Sequence, residues 1–377
     1  MTQRFPEGHR VSMLDVARIA GVSHQTVSRV INNSPNVSPA TRERITAIIK
    51  ELNYRPSNSA RALVTQHSRT IGMIAGGVNY FGPISTIASI EAVARNHGLF
   101  LSVAIVNERE YTQKVFEEVA GGFLDQGVDG FIFVAPTDAM LEAALTARFP
   151  QPRIILTSEH GGVDLEAELA RQERESGTGP IKCLGVDQRA GVGSIVDHLK
   201  SLGHRDCLYL AGPMEWRDGA SRQAAWRELS AGAGMRSDVV QLRTWDAGEA
   251  YQQVRQLFGE GGMYGKGAIT RPTAVVAAND LQAVGVRRAL GELGIDVPGE
   301  MSLVGFDDMA GSDNLMPPLT TVRPDFNVLG AKAMREMLYL MGSLDHEPSM
   351  AGVRHGVGVI PPTLVPRDSS GPARRAV

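Results

Sequence analysis

The sequence predicts an α/β protein in two unequal parts. A small N-terminal head of three helices, containing a helix-turn-helix, precedes a two-lobed body of parallel sheets flanked by helices. Three observations predict this. Residues 1–63 hold nine Arg/Lys against four Asp/Glu, a net of +5, so the remainder carries −8 if the chain is to total −3. Within that basic head, apolar residues recur at helical spacing in three short stretches. Beyond it, short apolar runs alternate with helical stretches, the pattern of strands covered on both faces.

A length of 377 residues, 43% of them apolar, provides for two or three domains with ample core. The longest apolar runs, such as 131–136 and 154–156, fall far short of the ~20 residues of a membrane helix. The polar start MTQRFPEGHR lacks the apolar core of a secretory signal. Two cysteines, Cys183 and Cys207, make no disulfide framework, and a reducing cytoplasm is the expected compartment.

The head is read element by element. Val16, Ala17, Ile19 and Ala20 mark a first short helix. Gly21 suits a turn needing positive φ, and Ser23 can cap the next helix. There Val27, Val30 and Ile31 form the apolar stripe, while His24, Gln25, Ser28, Arg29 and Asn32 share the opposite face. Side chains of this kind on one exposed face suit base edges and phosphates in a major groove. A third helix starts at Ser38-Pro39 and buries Ile45, Ile48, Ile49 and Leu52. Together these make a helix-turn-helix in a three-helix core.

In the body, strands are expected at 71–75, 101–106, 130–135, 153–157, 183–186, 207–211, 239–242, 274–278 and 301–306. Gly98, Gly127, Gly203 and Gly294 end the helices before four of them. Two successive β-α sets, before and after about residue 170, predict two similar lobes. Residues 159–180 are charged and end in Gly and Pro, so an exposed insertion with one short helix is expected there.

Enzymatic readings find no support. Gly191-Val192-Gly193 opens a G-x-G that lacks its third glycine. No Walker lysine or G-x-S-x-G elbow is present, and His198 and His204 have no metal spacing. No cofactor or metal is called for.

The head sequence Leu14-Asp15-Val16-Ala17, Ala20-Gly21-Val22-Ser23 and Thr26-Val27-Ser28-Arg29-Val30-Ile31-Asn32, then Val37-Ser38, Thr41-Arg42 and Leu52-Asn53-Tyr54-Arg55-Pro56, resembles the DNA-binding domain of the LacI (lactose repressor) family. The resemblance implies that His24 and Gln25 read bases and that Arg29 reaches a base or phosphate. It extends the DNA surface to Ser23, Thr26, Ser28, Asn32, Tyr54 and Arg55. Residues 57–63 look like the family's hinge helix, with Asn58, Ala60, Arg61 and the minor-groove wedge Leu63. So short a helix is unstable alone and should order on DNA against its twin. The domains implied are 1–56 for DNA binding, 57–68 for the hinge, and 69–377 for effector binding and dimerisation.

The body resembles the family's periplasmic-sugar-binding-protein fold, in blocks such as Leu202-Gly203-His204, Ala211-Gly212-Pro213, Ala278-Asn279-Asp280, Val304-Gly305-Phe306-Asp307-Asp308 and Pro318-Leu319-Thr320-Thr321-Val322. By matching position, the effector candidates are Arg222, Asn279 and Asp307, with Asp218 and Thr157. Trp245, Phe306 and Phe326 would be apolar walls, and Tyr80 or Phe81 the rim. A carboxylate, a guanidinium fork and an amide suit adjacent sugar hydroxyls. The lactose-repressor branch is nearer than the purine-repressor branch, which implies a galactoside first and another glycoside or a co-repressor as alternatives. Thr157 and Leu281 depart from the Asp and Gln of galactoside binders. The palindromic operator and a homodimer are the implied partners, since the tail carries no leucine heptads for a tetramer. A sugar-binding transport protein is the remaining alternative, against which the basic head argues.

Overall fold

The computed structural model describes residues 11–31, 34–54, 67–108, 110–159, 163–172, 174, 177–266, 268, 270–348 and 352–374. It separates into a head, Met1–Arg69, and a body, Thr70–Val377. The expected hinge helix at 57–63 lies outside the described residues.

The head contains α1 (Met13–Ala20), α2 (His24–Ile31) and α3 (Pro39–Glu51). Each starts on a serine. The Ser12 hydroxyl accepts the Asp15 N–H at 3.3 Å and the Asp15 carboxylate accepts the Ser12 N–H at 3.0 Å. Ser23 accepts the Thr26 N–H, and Ser38, followed by Pro39, accepts the Thr41 N–H, both at 3.3 Å. Gly21, at φ 62°, makes the tight turn into α2. Val16, Ala17, Ala20, Val27, Val30, Ile45 and Tyr54 form the core, with Ile48, Ile49 and Leu52 packed at its margin.

The body opens with β1 (Thr70–Ala75), α4 (Phe81–Asn96), β2 (Phe100–Ile105), α5 (Gln113–Asp125), β3 (Gly130–Val134), α6 (Asp138–Thr146), β4 (Arg153–Leu156), α7 (Leu165–Gln172) and β5 (Ile181–Val186). It continues with α8 (Gln188–Ser201), β6 (Asp206–Ala211), α9 (Arg217–Gly232), β7 (Arg236–Gln241), α10 (Ala247–Phe258), β8 (Ala274–Ala277), α11 (Asp280–Glu292), β9 (Ser302–Val304) and β10 (Thr321–Arg323). Finally come α12 (Phe326–Leu340), β11 (Val353–Arg354), β12 (Val357–Ile360) and β13 (Thr363–Val365).

These strands build a seven-stranded sheet, β11-β12-β5-β4-β3-β1-β2, and a four-stranded sheet, β7-β6-β8-β9, while β10 and β13 pair apart. Within the two larger sheets the pairings are parallel, except for β11 against β12. The pleat explains the near-continuous apolar strands. In β3, Phe131 and Phe133 face one core cluster and Ile132 and Val134 another. In β6, Cys207 and Tyr209 likewise oppose Leu208 and Leu210. The two cysteines lie in different sheets, both free and buried, and burial pushes each thiol up to about 12.

Two expectations need correction. The lobes do not divide at residue 170: β5 belongs to the first sheet, and β12 returns from the far end of the chain to pair with it in parallel. The chain therefore passes between lobes after β5, before α12 and after β12. Nor is the 159–180 insertion simply solvated. Its helix α7 is anchored by Leu165, 2% exposed, with Leu169 against the same core cluster. The four predicted helix-ending glycines do adopt the left-handed region, at φ 67° to 86°. The histidines are structural: His204 bonds Thr273 Oγ1 at 2.8 Å and the Gly371 carbonyl at 3.0 Å, and His198 bonds Ser370 Oγ at 2.8 Å.

Candidate functional site

The first site is the outer face of α2. Val27 and Val30 turn into the head core, which leaves His24, Gln25 and Arg29 exposed and Thr26 and Ser28 half-buried. The Ser23 and Thr26 hydroxyls lie 3.0 Å apart. The segment after α2 is fastened by Arg42, a residue that periodicity did not single out, whose guanidinium bonds the carbonyls of Val30 (3.4 Å) and Ser34. Tyr54 is a correction to the expected surface: at 8% exposed its ring is part of the core, and burial pushes its phenol up. Asn32, Arg55, Asn58, Ala60, Arg61 and Leu63 lie outside the described residues.

The second site is a cleft within the body, where strand ends of the two sheets face each other. Tyr80, Thr157, Asp218, Arg222, Trp245, Asn279, Asp307 and Phe326 all line it. Phe81 and Phe306 do not. Phe81 sits edge-on behind Phe326 at 5.9 Å, and Phe306 lies beneath the Arg222 guanidinium, 3.7 Å from its ring centroid. The cavity is about 90 Å³, room for several water molecules at ~10–15 Å³ each.

Arg222 is the hub. It is 5% exposed, and donates from Nε to Gln188 Oε1 at 2.8 Å, from Nη1 to the Ala278 carbonyl at 2.5 Å and from Nη2 to Asp307 Oδ1 at 3.3 Å. With Phe306 under one face, its plane is fixed. Asp307 stands at φ 111°, a region unusual for a residue with a Cβ. Its N–H donates to the Val322 carbonyl at 2.8 Å. Buried Asp280 stiffens the same loop by accepting from Ser312 Oγ and Thr321 Oγ1, both at 2.6 Å, and from the Met309 N–H at 3.0 Å. Burial pushes Asp307 up to about 7, with Asp280 and Asp218 adding to the rise and Arg222 opposing it.

Asn279 caps α11, accepting the Gln282 N–H at 2.8 Å, so its oxygen is committed. Trp245 is 4% exposed, and its indole N–H has no partner among the described residues. Gly212 makes room for that ring, since a Cβ there would lie 2.3 Å from it. The Thr157 hydroxyl oxygen is likewise buried without a partner.

Sequence reasoning missed several residues that complete the cleft. Trp216 meets Trp245 edge-on at 5.8 Å and Tyr80 at 5.2 Å. Next to it, Arg217 on α9 of the second lobe reaches the first. Its Nε and Nη2 donate to the Ser158 carbonyl at 3.0 and 2.8 Å, Nη1 pairs with Asp138 at the start of α6, and its N–H donates to the Pro136 carbonyl at 2.8 Å. The Ser158 hydroxyl bonds Asp218, and Gln188 Nε2 donates to the same hydroxyl at 3.4 Å. These bonds clasp the lobes around the cleft. No group of three or more His, Cys, Asp or Glu able to hold a metal occurs among the described residues.

Comparison with known proteins finds matches to both parts of the chain. Residues 12–57 match the model for bacterial regulatory proteins of the lacI family, and residues 196–370 match a periplasmic binding protein-like domain. The chain is 32% identical to the lactose operon repressor of Escherichia coli (strain K12), over 88% of this chain and 84% of that one. It is also 32% identical to the HTH-type transcriptional regulator GalR of the same strain, over 94% of each. A crystal structure of the lac repressor dimer bound to operator and the anti-inducer ONPF superposes with a TM-score of 0.78 at 29% identity, over 96% of this chain and 100% of that one.

Proposed function

This chain belongs to the LacI family of bacterial transcriptional regulators, and we propose that within it the protein is a repressor whose operator affinity is set by a small glycoside bound between the lobes. As a member of that family it is a DNA-binding regulator with a small-molecule effector, not an enzyme. The observation that carries the sugar reading is the Arg222–Asp307 pair, held rigidly at a cleft walled by Trp245, Trp216, Tyr80 and Phe326. A carboxylate accepts from two neighbouring hydroxyls, a guanidinium donates to their oxygens, and indole faces cover the C–H side of a pyranose.

A galactoside is the first candidate. Thr157 lines the cleft where galactoside binders carry Asp, so its hydroxyl replaces a charged acceptor, while Asp218 and Gln188 supply polar groups nearby. In the head, His24, Gln25 and Arg29 read the operator from the exposed face of α2, with Ser23, Thr26 and Ser28 on the phosphates. The operator is palindromic because the protein acts as a homodimer. Its dimer face is the edge strand β2, where Phe100 (57%), Val103 (41%) and Ile105 (63%) stand exposed beside Ile84 (47%) of α4. The cytoplasm is the proposed compartment. No helix among the described residues is long and apolar enough to cross a membrane.

The test is a thermal-shift and calorimetric screen of galactosides and glucosides against the full-length protein and its R222A variant. A glycoside that stabilises the parent and not R222A supports the reading. A panel that leaves the parent unmoved, or a hit indifferent to R222A, removes it.

A further inference from the structure

Asp307 reaches the cleft through an unusual stretch of backbone. It is followed by Asp308 at φ 48°, so two consecutive residues with a Cβ adopt positive φ. Such conformations persist only where the surroundings over-determine them. Turning this pair back to negative φ would re-aim the Asp307 Cα–Cβ bond, and with it the carboxylate that meets Arg222. On the N-terminal side the backbone itself supplies the hold: the Gly305 N–H donates to the Thr320 carbonyl at 2.9 Å and the Asp307 N–H to the Val322 carbonyl at 2.8 Å. On the C-terminal side the Asp308 N–H makes a long bond, 3.4 Å to Thr321 Oγ1. The tighter hold there is the Asp308 side chain. One carboxylate oxygen accepts from Arg323 Nε at 2.5 Å, and the other lies 2.7 Å from Arg367 Nη2.

The two arginines are unequal. The Arg323 side chain is 56% exposed, that of Arg367 16% and that of Asp308 9%. Exposed pairs are screened and contribute little, so the inner pair carries the hold. Arg367 lies past β13, in the C-terminal segment, and is itself fixed. Its N–H donates to Thr320 Oγ1 at 2.8 Å and its Nη1 to the Leu319 carbonyl at 2.7 Å. Two residues on, the Ser369 N–H donates to the Pro318 carbonyl at 2.9 Å, and the Ser369 carbonyl accepts the Leu303 N–H of β9 at 2.7 Å. Asp308 is not among the residues lining the cleft. We infer that Arg367 is a positioning residue for the effector: through Asp308 it holds Asp307 in the conformation that turns its carboxylate toward Arg222 and the cleft. The inference rests on the glycoside reading in making Asp307 the group that meets the ligand. The guanidinium fork spans Asp308 and Leu319 at once, which the single ammonium of a lysine does not reproduce.

The test compares amide hydrogen exchange and sugar binding in the full-length parent, R367A, R367K and D308N. In R367A, exchange over residues 305–309 should accelerate about tenfold or more, the loss of one charged hydrogen bond, while β6 and β8 of the same lobe keep the parent's rates. D308N keeps the shape but turns an amide donor toward an arginine, and should give the same local pattern; R367K should be intermediate. Calorimetry with methyl β-D-galactoside and methyl β-D-glucoside should show the parent's binding weakened about tenfold in R367A and partly restored in R367K. Unchanged exchange at 305–309 overturns the inference. So does acceleration spread evenly over β6 and β8, since Arg367 would then serve the lobe and not the loop. Local loosening that leaves sugar affinity at the parent's value overturns it as well. If neither sugar binds the parent, the glycoside reading fails by itself, and the exchange pattern decides the role of Arg367.

Discussion

As the proposed sugar ligand, Asp307 serves two opposed demands. It must be an ionised acceptor to hold sugar hydroxyls, yet burial pushes its carboxyl up to about 7, with Arg222 only partly offsetting the rise. Hydroxyls that donate to the carboxylate favour its ionised form. Glycoside affinity should therefore climb as pH rises through about 7 and level off above it. Calorimetry at pH 6, 7 and 8 measures this, and a flat profile would contradict it. In the free protein the sign is reversed: between 3.8 and about 7 the folded state holds a proton the unfolded chain has released, so this group's contribution to stability falls as pH rises. At the other site, Gln25→Ala should weaken operator binding by roughly 1–3 kcal/mol, the worth of a bidentate pair with one base, and relax preference at that base position. Unchanged binding across a set of operator variants would mean that Gln25 does not read DNA. Arg222, Asp307 and Trp245 were legible through the family resemblance, by matching position, and not through any local pattern: Arg222 sits inside a helix, and Trp245 and Asp307 sit in loops. Gln188 and Trp216 were not, since each sits at a helix start with no periodic signal. Phe306 was misplaced for a related reason: a strand-end aromatic looks the same in sequence whether it walls a cleft or supports the arginine that does.

At the scale of elements, the nine strands expected from apolar runs are all found, with boundaries shifted by a few residues. Runs buried on both faces carry their own signal. The short strands β10 and β12 did not, because pairing with distant partners, and not local pattern, makes them strands: β12 is defined by β5, more than 170 residues earlier, and the two-residue β11 only pairs back on β12. The same long-range pairing hid the true lobe division. β2 was found, but its meaning lies in its place at the sheet edge. Ile105→Glu should put a charge into the proposed dimer face and yield monomers with sharply weakened operator binding, while glycoside binding persists. Sedimentation that still shows dimers would locate the interface elsewhere. The clasp at the start of α9 makes a further prediction. Arg217→Ala removes the hydrogen bonds to Ser158 and the pair with Asp138, so the lobes should part more readily. Glycoside association, followed by stopped-flow fluorescence of Trp216 and Trp245, should accelerate about tenfold, the worth of one charged hydrogen bond. An unchanged association rate would show that the clasp does not limit entry.

At the scale of the molecule, the proposed control is one coupling: a ligand held by Arg222 and Asp307 of the second lobe and reaching Thr157 and Phe326 of the first fixes the angle between lobes, and that angle governs whether two heads engage the operator together. Such a signal is limited by the ligand's differential affinity for the two arrangements, typically about 1–3 kcal/mol or roughly 5–150-fold. Much of this organisation was visible early, as a basic head on an acidic body and alternating strands and helices. The clasp was not, since it depends on side chains brought together by the chain's repeated passage between lobes. The most direct test is an operator titration of the parent and of Asp307→Asn, with and without the glycoside found by screening. The substitution keeps the shape but replaces one carboxylate acceptor with a donor. Near-normal operator binding without glycoside, together with a strongly reduced response to it, is the predicted result. A full response at the parent's glycoside concentration would place the effector outside this cleft geometry and contradict the account.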